Sequence, residues 1–230
     1  GIPIWDSLPA FFDAGGKAHL VIIAAPIHLH APLTELALAN GASVLCEKPL
    51  SATVQEARAM REAELRSPGF VAIGYQWSFA SAIQAIKKDV LSGAFGAPLS
   101  LRCLVAWPRR RSYYARNSWA GMQKSGHDRW VLDSPVNNAT AHYLHNMFYI
   151  IGPTRETSTA LLDVQAELYR ANDITNYDTG FLRAHAENGT EILFCSSHAV
   201  QPLIGPVCEY RFENAVVSST RGARFAARWH

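Results

Sequence analysis

The chain reads LVIIAAPIHLH over Leu20–His30 and SVLCEKPL over Ser43–Leu50, two short apolar runs that each lead into a proline. An uninterrupted apolar run of this length is typical of a strand buried on both faces of a parallel sheet. The stretch between the runs, from about Pro32 to Asn40, has a helical pattern and is followed by Gly41, a residue type that commonly ends helices. The two runs and the helix therefore predict a β-α-β unit.

The same alternation of strands and helices continues further along the chain. Thr53 and Glu56 form a capping-box pattern that opens a helix through about Leu65, and Phe70–Gly74 predicts a third strand. Strands that alternate with helices imply right-handed crossovers and an open α/β sheet. We therefore predict part of a doubly wound, Rossmann-like parallel sheet for this region.

The remainder of the chain has a different pattern. A helix is predicted over Asn137–Ile151, and Asn188-Gly189 is a type I′ hairpin signal between two strand patterns. Cys208–Glu213 alternates apolar and polar side chains, as in a strand with one buried and one solvated face. The sequence thus predicts two domains. Residues 1–78 hold the partial parallel sheet, and residues 79–230 form an α+β domain with a largely antiparallel sheet, incomplete at its C-terminus.

The composition is that of an ordinary globular chain. Of its 230 residues 49% are hydrophobic and 17% are charged, and the formal net charge is +2. These values exclude a disordered chain, and so mild a charge does not favour a nucleic-acid partner. No apolar run approaches the length of about eighteen residues that a membrane span needs, so we expect no membrane association. The four cysteines form no CxxC pair, which favours reduced thiols and a cytoplasmic protein.

The carboxyl ends of two adjacent predicted strands carry candidate site residues. Pro26, His28 and His30 follow the first strand, and Glu47-Lys48-Pro49 follows the second. Ligands of open α/β sheets bind at this edge. An acid, a base and a rigid bend in one crevice suit ligand binding and proton transfer. The alternative is that the two charges are solvated loop charges, and the spacing alone leaves both interpretations open.

Two pairs of histidines raise the question of a metal site. His28 and His30 lie in one loop, and His142 and His145 share one face of the predicted helix. No third ligand at a known spacing accompanies either pair. We therefore predict no metal site.

A second candidate site lies in the irregular stretch Trp107–Gly121, where arginines alternate with aromatic residues. No acidic residue occurs from Arg109 to His127. Arginines bind carboxylates or phosphates, and aromatic rings stack on sugars. A solvated loop whose rings pack on the sheet explains the pattern equally well, and single-strand nucleic-acid grooves have a similar mixture. The position of the stretch between the two domains favours a substrate loop.

Several motifs together resemble the Gfo/Idh/MocA family of NAD(P)-dependent oxidoreductases, which is named from glucose–fructose oxidoreductase and inositol dehydrogenase. The motifs are Pro26-x-x-x-His30, Cys46-Glu47-Lys48-Pro49-Leu50 and Gly74-Tyr75-Gln76. The Asn137–Gly152 stretch resembles the substrate-domain helix of that family, which normally carries an Asp-x-Gly-x-His core. The Glu-Lys-Pro element is specific in this context. The matches begin at about residue 1 and reach into the antiparallel sheet, so they cover most of the chain.

The resemblance implies a role for individual residues. Lys48 and His142 would be the catalytic acid–base residues. The residues implied to line bound NAD or NADP are Pro26, His28, His30, Glu47, Lys48, Pro49 and Gln76. The residues implied to contact a sugar or polyol substrate are Arg116, Trp119, Asn137, Asn138 and His145. The first domain would bind the dinucleotide, and the second would bind the substrate and form a homo-oligomer through its antiparallel sheet.

The chain departs from the family pattern in two respects. Asn138 stands where the family commonly has Asp, Thr140 where it has Gly, and His145 where an acidic residue is frequent. Asn138 cannot titrate, so proton transfer would depend more heavily on the two catalytic residues. The GxGxxG turn that holds the pyrophosphate occurs nowhere in the chain. We therefore expect a fragment or a truncated relative of the complete enzyme, with weak dinucleotide binding if the chain begins at Gly1.

Three functions remain as hypotheses. The leading one is an oxidoreductase that transfers a hydride between a nicotinamide cofactor and a sugar, polyol or related hydroxy compound. The second is an enzyme that keeps its NAD and cleaves glycosidic bonds without net redox change. The third is a truncated, non-catalytic member of the family that acts as an interaction or assembly domain. Reduction of free cofactor separates the first two, and dinucleotide binding separates both from the third.

Overall fold

The computed structural model describes residues 1–220 and 224–230. The chain forms two compact units. The first unit consists of Gly1–Gly74 together with the segment Gln123–Leu132, and the second consists of Tyr75–Met122 and Asp133–His230. No helix in the described part of the chain has the length and apolar character that crossing a membrane requires.

The first unit contains a three-stranded parallel sheet in the order β1-β2-β3. Its strands are β1 (Leu20–Ile23), β2 (Ser43–Cys46) and β3 (Val71–Ile73), and its helices are α1 (Leu8–Asp13), α2 (His30–Ala39) and α3 (Val54–Leu65). The predicted alternation of strands and helices is confirmed. α2 starts two residues before Pro32, because a proline is tolerated in the first turn of a helix.

Local capping explains where α3 begins. The Thr53 hydroxyl accepts a hydrogen bond from the Glu56 amide at 3.2 Å, and the Glu56 carboxylate accepts one from the Thr53 amide at 3.1 Å. Both halves of the predicted capping box are therefore present. The two bonds satisfy amides that the first helical turn leaves without partners.

The parallel sheet of the first unit is covered more completely on one face than on the other. Ile23, Val44 and Cys46 are buried beneath α2, whereas the side chains of Leu20 and Ile22 are 48% and 66% exposed. The expectation that β1 is buried on both faces does not hold within this unit. The apolar run has no period of two, so its pattern could not reveal that only one face is covered.

The second unit contains a seven-stranded mixed sheet in the order β10-β9-β8-β4-β7-β6-β5. Its strands are β4 (Pro98–Ala106), β5 (Leu161–Tyr169), β6 (Thr179–Ala186), β7 (Glu191–Ser197), β8 (Ile204–Phe212), β9 (Ala215–Thr220) and β10 (Arg224–Trp229). β4 and β7 run parallel, and the other neighbouring strands are antiparallel. The largely antiparallel second sheet is therefore confirmed.

Three helices accompany this sheet. They are α4 (Ser81–Leu91), α5 (Arg111–Tyr114) and α6 (Ala141–Ile150). The core under the sheet includes Met147 and Ile150 of α6, together with Leu101, Phe194 and Tyr210 of the strands. α5 is a single turn inside the stretch predicted to be irregular. The predicted helix over 137–151 divides into a π-helical turn, Pro135–Ala139, followed by α6.

The hairpin at Asn188-Gly189 forms, but its turn differs from the predicted type I′. Gly189 has a positive φ of 84°, whereas Asn188 does not have a positive φ. The Gly189 amide donates to Ala186 O at 2.9 Å, and the Ala186 amide donates to Thr190 O at 3.0 Å. This is a three-residue loop in which only the glycine is left-handed, and a type I′ turn needs two such residues.

Candidate functional site

The carboxyl edge of the parallel sheet brings the predicted strand-end residues of the first unit together. The Glu47 amide donates to Ile23 O at 2.9 Å, and the Gly74 amide donates to Cys46 O at 2.7 Å, so the ends of the three strands lie side by side. A Cβ on Gly74 would lie 3.3 Å from both Cα and Oε2 of Glu47. This close contact explains why a glycine suits the end of β3.

Glu47 and Lys48 differ in exposure at this edge. Glu47 is exposed, and its carboxylate accepts a hydrogen bond from the Lys48 amide at 3.3 Å. The side chain of Lys48 is half-buried, and Pro49 behind it is buried. The predicted acid, base and rigid bend therefore occupy one turn, and the carboxylate is open to a ligand.

His30 joins the loops that follow β1 and β2. Its Nδ1 lies 2.7 Å from Pro49 O and its Nε2 lies 2.9 Å from Ala25 O, and the side chain is 1% exposed. Because a carbonyl oxygen only accepts, each contact is a hydrogen bond when that ring nitrogen carries the proton. Both nitrogens are occupied by backbone, so the ring positions the loops and has no nitrogen left for a ligand.

His28 lies near the segment Gln123–Leu132 of the same unit. Burial, helped by the charges of Arg129 and His127, lowers the pKa of His28 below its ordinary value, although the Glu56 carboxylate acts in the opposite direction. The Nδ1 atom of His28 is buried and has no hydrogen-bond partner among the described residues. A neutral imidazole with an unused nitrogen can contact a polar ligand group.

The edge of the first unit fits one end of a dinucleotide. The exposed Glu47 carboxylate and the half-buried Lys48 provide hydrogen-bonding groups for a ribose at the edge where ligands of open α/β sheets bind. A glycine-rich turn for the pyrophosphate is not present in the sequence. The residues of this chain therefore fit the nicotinamide end of NAD and do not include the usual phosphate-binding turn.

His142 and His145 lie among aromatic rings in the second unit. The His142 ring is buried and stacks on Trp77, with ring centres 4.4 Å apart and an angle of 21° between the planes. His145 stacks on Tyr75 at 4.1 Å, and its Nδ1 lies 2.9 Å from the Ser78 hydroxyl. Burial lowers the pKa of His145 to about 4, so this ring is neutral near pH 7.

A buried aspartate that sequence reasoning missed organises the residues around Asn138. Asp133 is 3% exposed, and its Oδ1 accepts a hydrogen bond from Asn138 Nδ2 at 2.7 Å. Its Oδ2 accepts one from the Gly121 amide, also at 2.7 Å. The neighbouring Ser134 caps the following turn by accepting from the Asn137 amide at 3.1 Å. A serine–proline pair directly after an aspartate was the available signal for this capped, buried turn.

Arg116 and Trp119, the two proposed substrate contacts of the loop, lie close together. The Arg116 guanidinium lies 4.1 Å from the ring centre of Tyr113 and 5.5 Å from that of Trp119. Its Nη2 also donates to the Tyr113 hydroxyl at 3.2 Å. Gln76, predicted on the cofactor side, is exposed in a short 3₁₀ turn of the second unit, Gln76–Phe79.

Residues 1–220 and 224–230 contain no group of three histidine, cysteine, aspartate or glutamate side chains that is arranged to hold a metal ion. His145 interacts instead with a hydroxyl and a ring, as described above.

Comparison with known proteins identifies relatives of both units. Residues 1–75 match the family model described as "Oxidoreductase family, NAD-binding Rossmann fold". The inositol 2-dehydrogenase of Rubrobacter xylanophilus is 32% identical over 127 residues, which is 52% of this chain and 36% of that protein. The levoglucosan dehydrogenase of Pseudarthrobacter phenanthrenivorans is 36% identical over 84 residues, 36% of this chain and 22% of that protein. The chain thus spans less than half the length of these curated relatives.

A solved structure supports the fold of most of the chain. The WlbA dehydrogenase from Bordetella pertussis, crystallised with NADH and UDP-GlcNAcA, has a TM-score of 0.80 to this chain at 23% identity. The similarity covers 93% of this chain and 58% of that one. At this level of identity the comparison concerns the fold alone.

Proposed function

We propose that the protein is an oxidoreductase of the Gfo/Idh/MocA family, and that it transfers a hydride between NAD and a sugar, polyol or related hydroxy compound. The observation that carries the proposal is the Glu47-Lys48-Pro49 turn at the carboxyl end of β2, inside the region that matches the family. Inositol 2-dehydrogenase and levoglucosan dehydrogenase among the relatives support the substrate class.

We assign Glu47 and Lys48 to the nicotinamide end of the site. NAD, when bound, supplies the hydride acceptor or donor. The Glu47 carboxylate would accept hydrogen bonds from the ribose hydroxyls. The Lys48 ammonium group would hold the substrate hydroxyl and exchange a proton with its oxygen. His30 would act indirectly, because it holds the backbone on either side of this crevice.

We assign His142 as the second proton-transfer residue. The stack on Trp77 fixes the plane of its ring, so an imidazole nitrogen would meet the substrate hydroxyl in one orientation. Asn137, Asn138 and His145 would contact the remaining hydroxyls of the substrate. His145 is neutral near pH 7, so we expect it to bind substrate rather than to supply a proton.

The test is the appearance of free NADH during turnover of a substrate panel that includes myo-inositol and levoglucosan. We expect Lys48→Ala and His142→Ala each to lower kcat by about 100-fold or more while the protein stays folded. The exposed residues Lys17 and His19 provide matched controls, and Lys17→Ala and His19→Ala should retain the wild-type rate. Near-normal turnover in the Lys48 or His142 variant would show that its assignment is wrong.

The same assay separates the two rival functions. Cleavage of a glycoside without accumulation of free NADH would indicate the enzyme that keeps its NAD and makes no net redox change. A folded protein that neither binds NAD nor turns over any substrate would indicate the non-catalytic role. We retain NADP as the alternative cofactor and the cytoplasm as the compartment, which the four free thiols support.

We also propose that the open face of the seven-stranded sheet binds a second copy of the chain. A depression of 740 Å³ on this face is lined by apolar side chains, including Phe181 and Val207, and by charges of both signs, including Arg183 and Glu209. Phe181 is 45% and Val207 54% exposed. Because a two-fold axis places the same patch opposite itself, a patch with both signs of charge can be self-complementary. Sedimentation should show an oligomer that Phe181→Glu/Val207→Glu dissociates, and a wild-type monomer would refute this.

A further inference from the structure

Three consecutive arginines line a cavity in the second unit. Arg109, Arg110 and Arg111 follow β4, and together with Asn172 and Gln201 they surround a space of 890 Å³. A smaller cavity of 370 Å³ is also lined by Arg109, Asn172 and Gln201, and it includes His198. These volumes lie within the range that small-molecule sites occupy.

The positive charge of this cavity is not neutralised by ion pairs. Within the residues that the structure describes, none of the three arginines forms a salt bridge. The nearby carboxylate of Asp178 is occupied, because it accepts hydrogen bonds from the Ala171 amide and from the amide and side chain of Asn172. Asp173 is exposed and lines an adjoining space with Arg111. The three positive charges therefore outnumber the two negative charges nearby, those of Asp173 and Asp178.

The wall of the cavity is held in a defined geometry. The Arg109 guanidinium lies 4.9 Å from the ring centre of Tyr113, and the Arg109 amide donates to His198 O at 3.0 Å. His198 Nδ1 lies 2.8 Å from Trp107 O, and burial lowers the pKa of His198 to about 4. The neutral ring therefore donates through Nδ1 and keeps Nε2 as an acceptor, which suits a hydroxyl group.

Two aromatic rings of the loop, those of Tyr113 and Trp119, are already engaged by cations. Arg116 and Arg109 both lie over the ring of Tyr113, and Arg116 also lies near Trp119. A single-stranded nucleic acid binds by stacking its bases on aromatic faces that are free. The cavity thus favours a small anion over a polynucleotide.

A row of aromatic rings leads from this cavity towards His142. Trp107 lies 5.8 Å from Tyr143, Tyr143 lies 5.0 Å from Trp77, and Trp77 stacks on His142 at 4.4 Å between ring centres. The arginines and the proposed proton-transfer residue are thus separated by several side chains of the same unit. His142 lines neither of the two cavities, so the arginines form a site apart from it.

We propose that Arg109, Arg110 and Arg111 form an anion-binding site that takes an acidic sugar, either a sugar acid or a sugar phosphate. This inference rests on the proposed function for the identity of the sugar. Planar guanidinium groups bind carboxylate and phosphate oxygens through paired hydrogen bonds. His198 and Asn172 would contact hydroxyl groups next to the anion.

The experiment is calorimetric titration of the full chain, without NAD, with glucose, glucuronate, glucose 6-phosphate and inorganic phosphate. We expect at least one of the two acidic sugars to bind about tenfold or more tightly than glucose, and the stronger of the two identifies the anion. Arg110→Gln/Arg111→Gln should remove this preference. The matched control is Arg58→Gln/Arg66→Gln, which removes two exposed positive charges from the first unit and should bind like the wild type.

Other outcomes would overturn the proposal. These are equal affinity for glucose and both acids, full retention of affinity in the Arg110/Arg111 variant, or phosphate binding as tight as that of glucose 6-phosphate. Binding of an oligothymidylate that the same variant abolishes would assign the surface to nucleic acid instead. Because the titration needs no cofactor, loss of hydride transfer and loss of anion binding can be told apart.

Discussion

Lys87 is a buried lysine whose contacts predict how the free energy of unfolding depends on pH. The side chain is 1% exposed, and its Nζ donates to the backbone oxygens of Tyr149, Gly152 and Thr157 at 2.6, 2.8 and 3.1 Å. These oxygens lie at and after the C-terminal end of α6, where a helix leaves carbonyl groups without partners. Burial lowers the pKa of Lys87 from 10.5 to about 8, although Glu156 acts in the opposite direction.

The sign of the pH dependence follows from this pKa. Between pH 8 and pH 10.5 the unfolded chain keeps the proton of Lys87 and the folded chain loses it, so the free energy of unfolding rises with pH across that window. The contribution is about 1.4 kcal/mol for each pH unit, or about 2 kcal/mol from pH 7.5 to pH 9.5. Below pH 8 the lysine adds no slope.

Lys87→Met isolates this contribution. Methionine removes the buried charge, which relieves about 3 kcal/mol of desolvation, but it leaves three carbonyls unpaired at about 1–3 kcal/mol each. We expect a net loss of about 3 kcal/mol at pH 7.5. The gap to the wild type should widen by about 2 kcal/mol at pH 9.5, because only the wild type gains stability.

Urea unfolding followed by tryptophan fluorescence at pH 7.5 and pH 9.5 measures both quantities. Lys88→Met is the matched control, because Lys88 is the neighbouring residue and is exposed. It should lie within about 0.5 kcal/mol of the wild type at either pH. A gap between the wild type and Lys87→Met that stays constant or narrows at the higher pH would refute the reasoning.

Three further predictions concern local contacts. Burial lowers the pKa of His145 and of His198 to about 4, so the unfolded chain binds more protons below pH 6.5. As the pH is lowered from 6.5 to 4, the free energy of unfolding should therefore fall by up to about 1.4 kcal/mol per pH unit for each ring. Urea unfolding at pH 7 and pH 5 should show a smaller fall for His145→Gln than for the wild type. His30→Ala should cost about 1–3 kcal/mol in urea unfolding, because the carbonyl to which the ring donates, Pro49 O or Ala25 O, loses its partner, whereas His19→Ala should cost almost nothing. Thr53→Ala should cost about 1 kcal/mol and Thr53→Ser much less, and equal losses would contradict the capping role.

The strand ends of the first unit could be predicted from the sequence because strand direction fixes the edge at which they lie. The ends of adjacent parallel strands meet at one edge, so the residues after β1 and β2 were expected there. The contacts that each side chain makes could not be predicted from the sequence. His30 resembles a ligand-facing histidine in sequence, whereas its ring is occupied by two carbonyls from different loops.

The sequence by itself determined those helices and strands whose sequence patterns involve residues only a few positions apart. The apolar run of β2, the capping box of α3 and the alternating burial of β8 depend on residues within a few positions of each other, so propensity and pattern suffice for them. The family motifs added the position of the candidate site.

The tertiary structure alone decided which distant segments meet. It paired β4 with β7 in parallel, packed the segment Gln123–Leu132 into the first unit, and placed Asp133 between Gly121 and Asn138. Each of these arrangements brings together segments that are apart in the sequence, and no sequence motif marks either segment as the partner of the other. Their stability comes from burial and hydrogen bonding that exist only once the whole unit has folded, and a local pattern therefore cannot encode them.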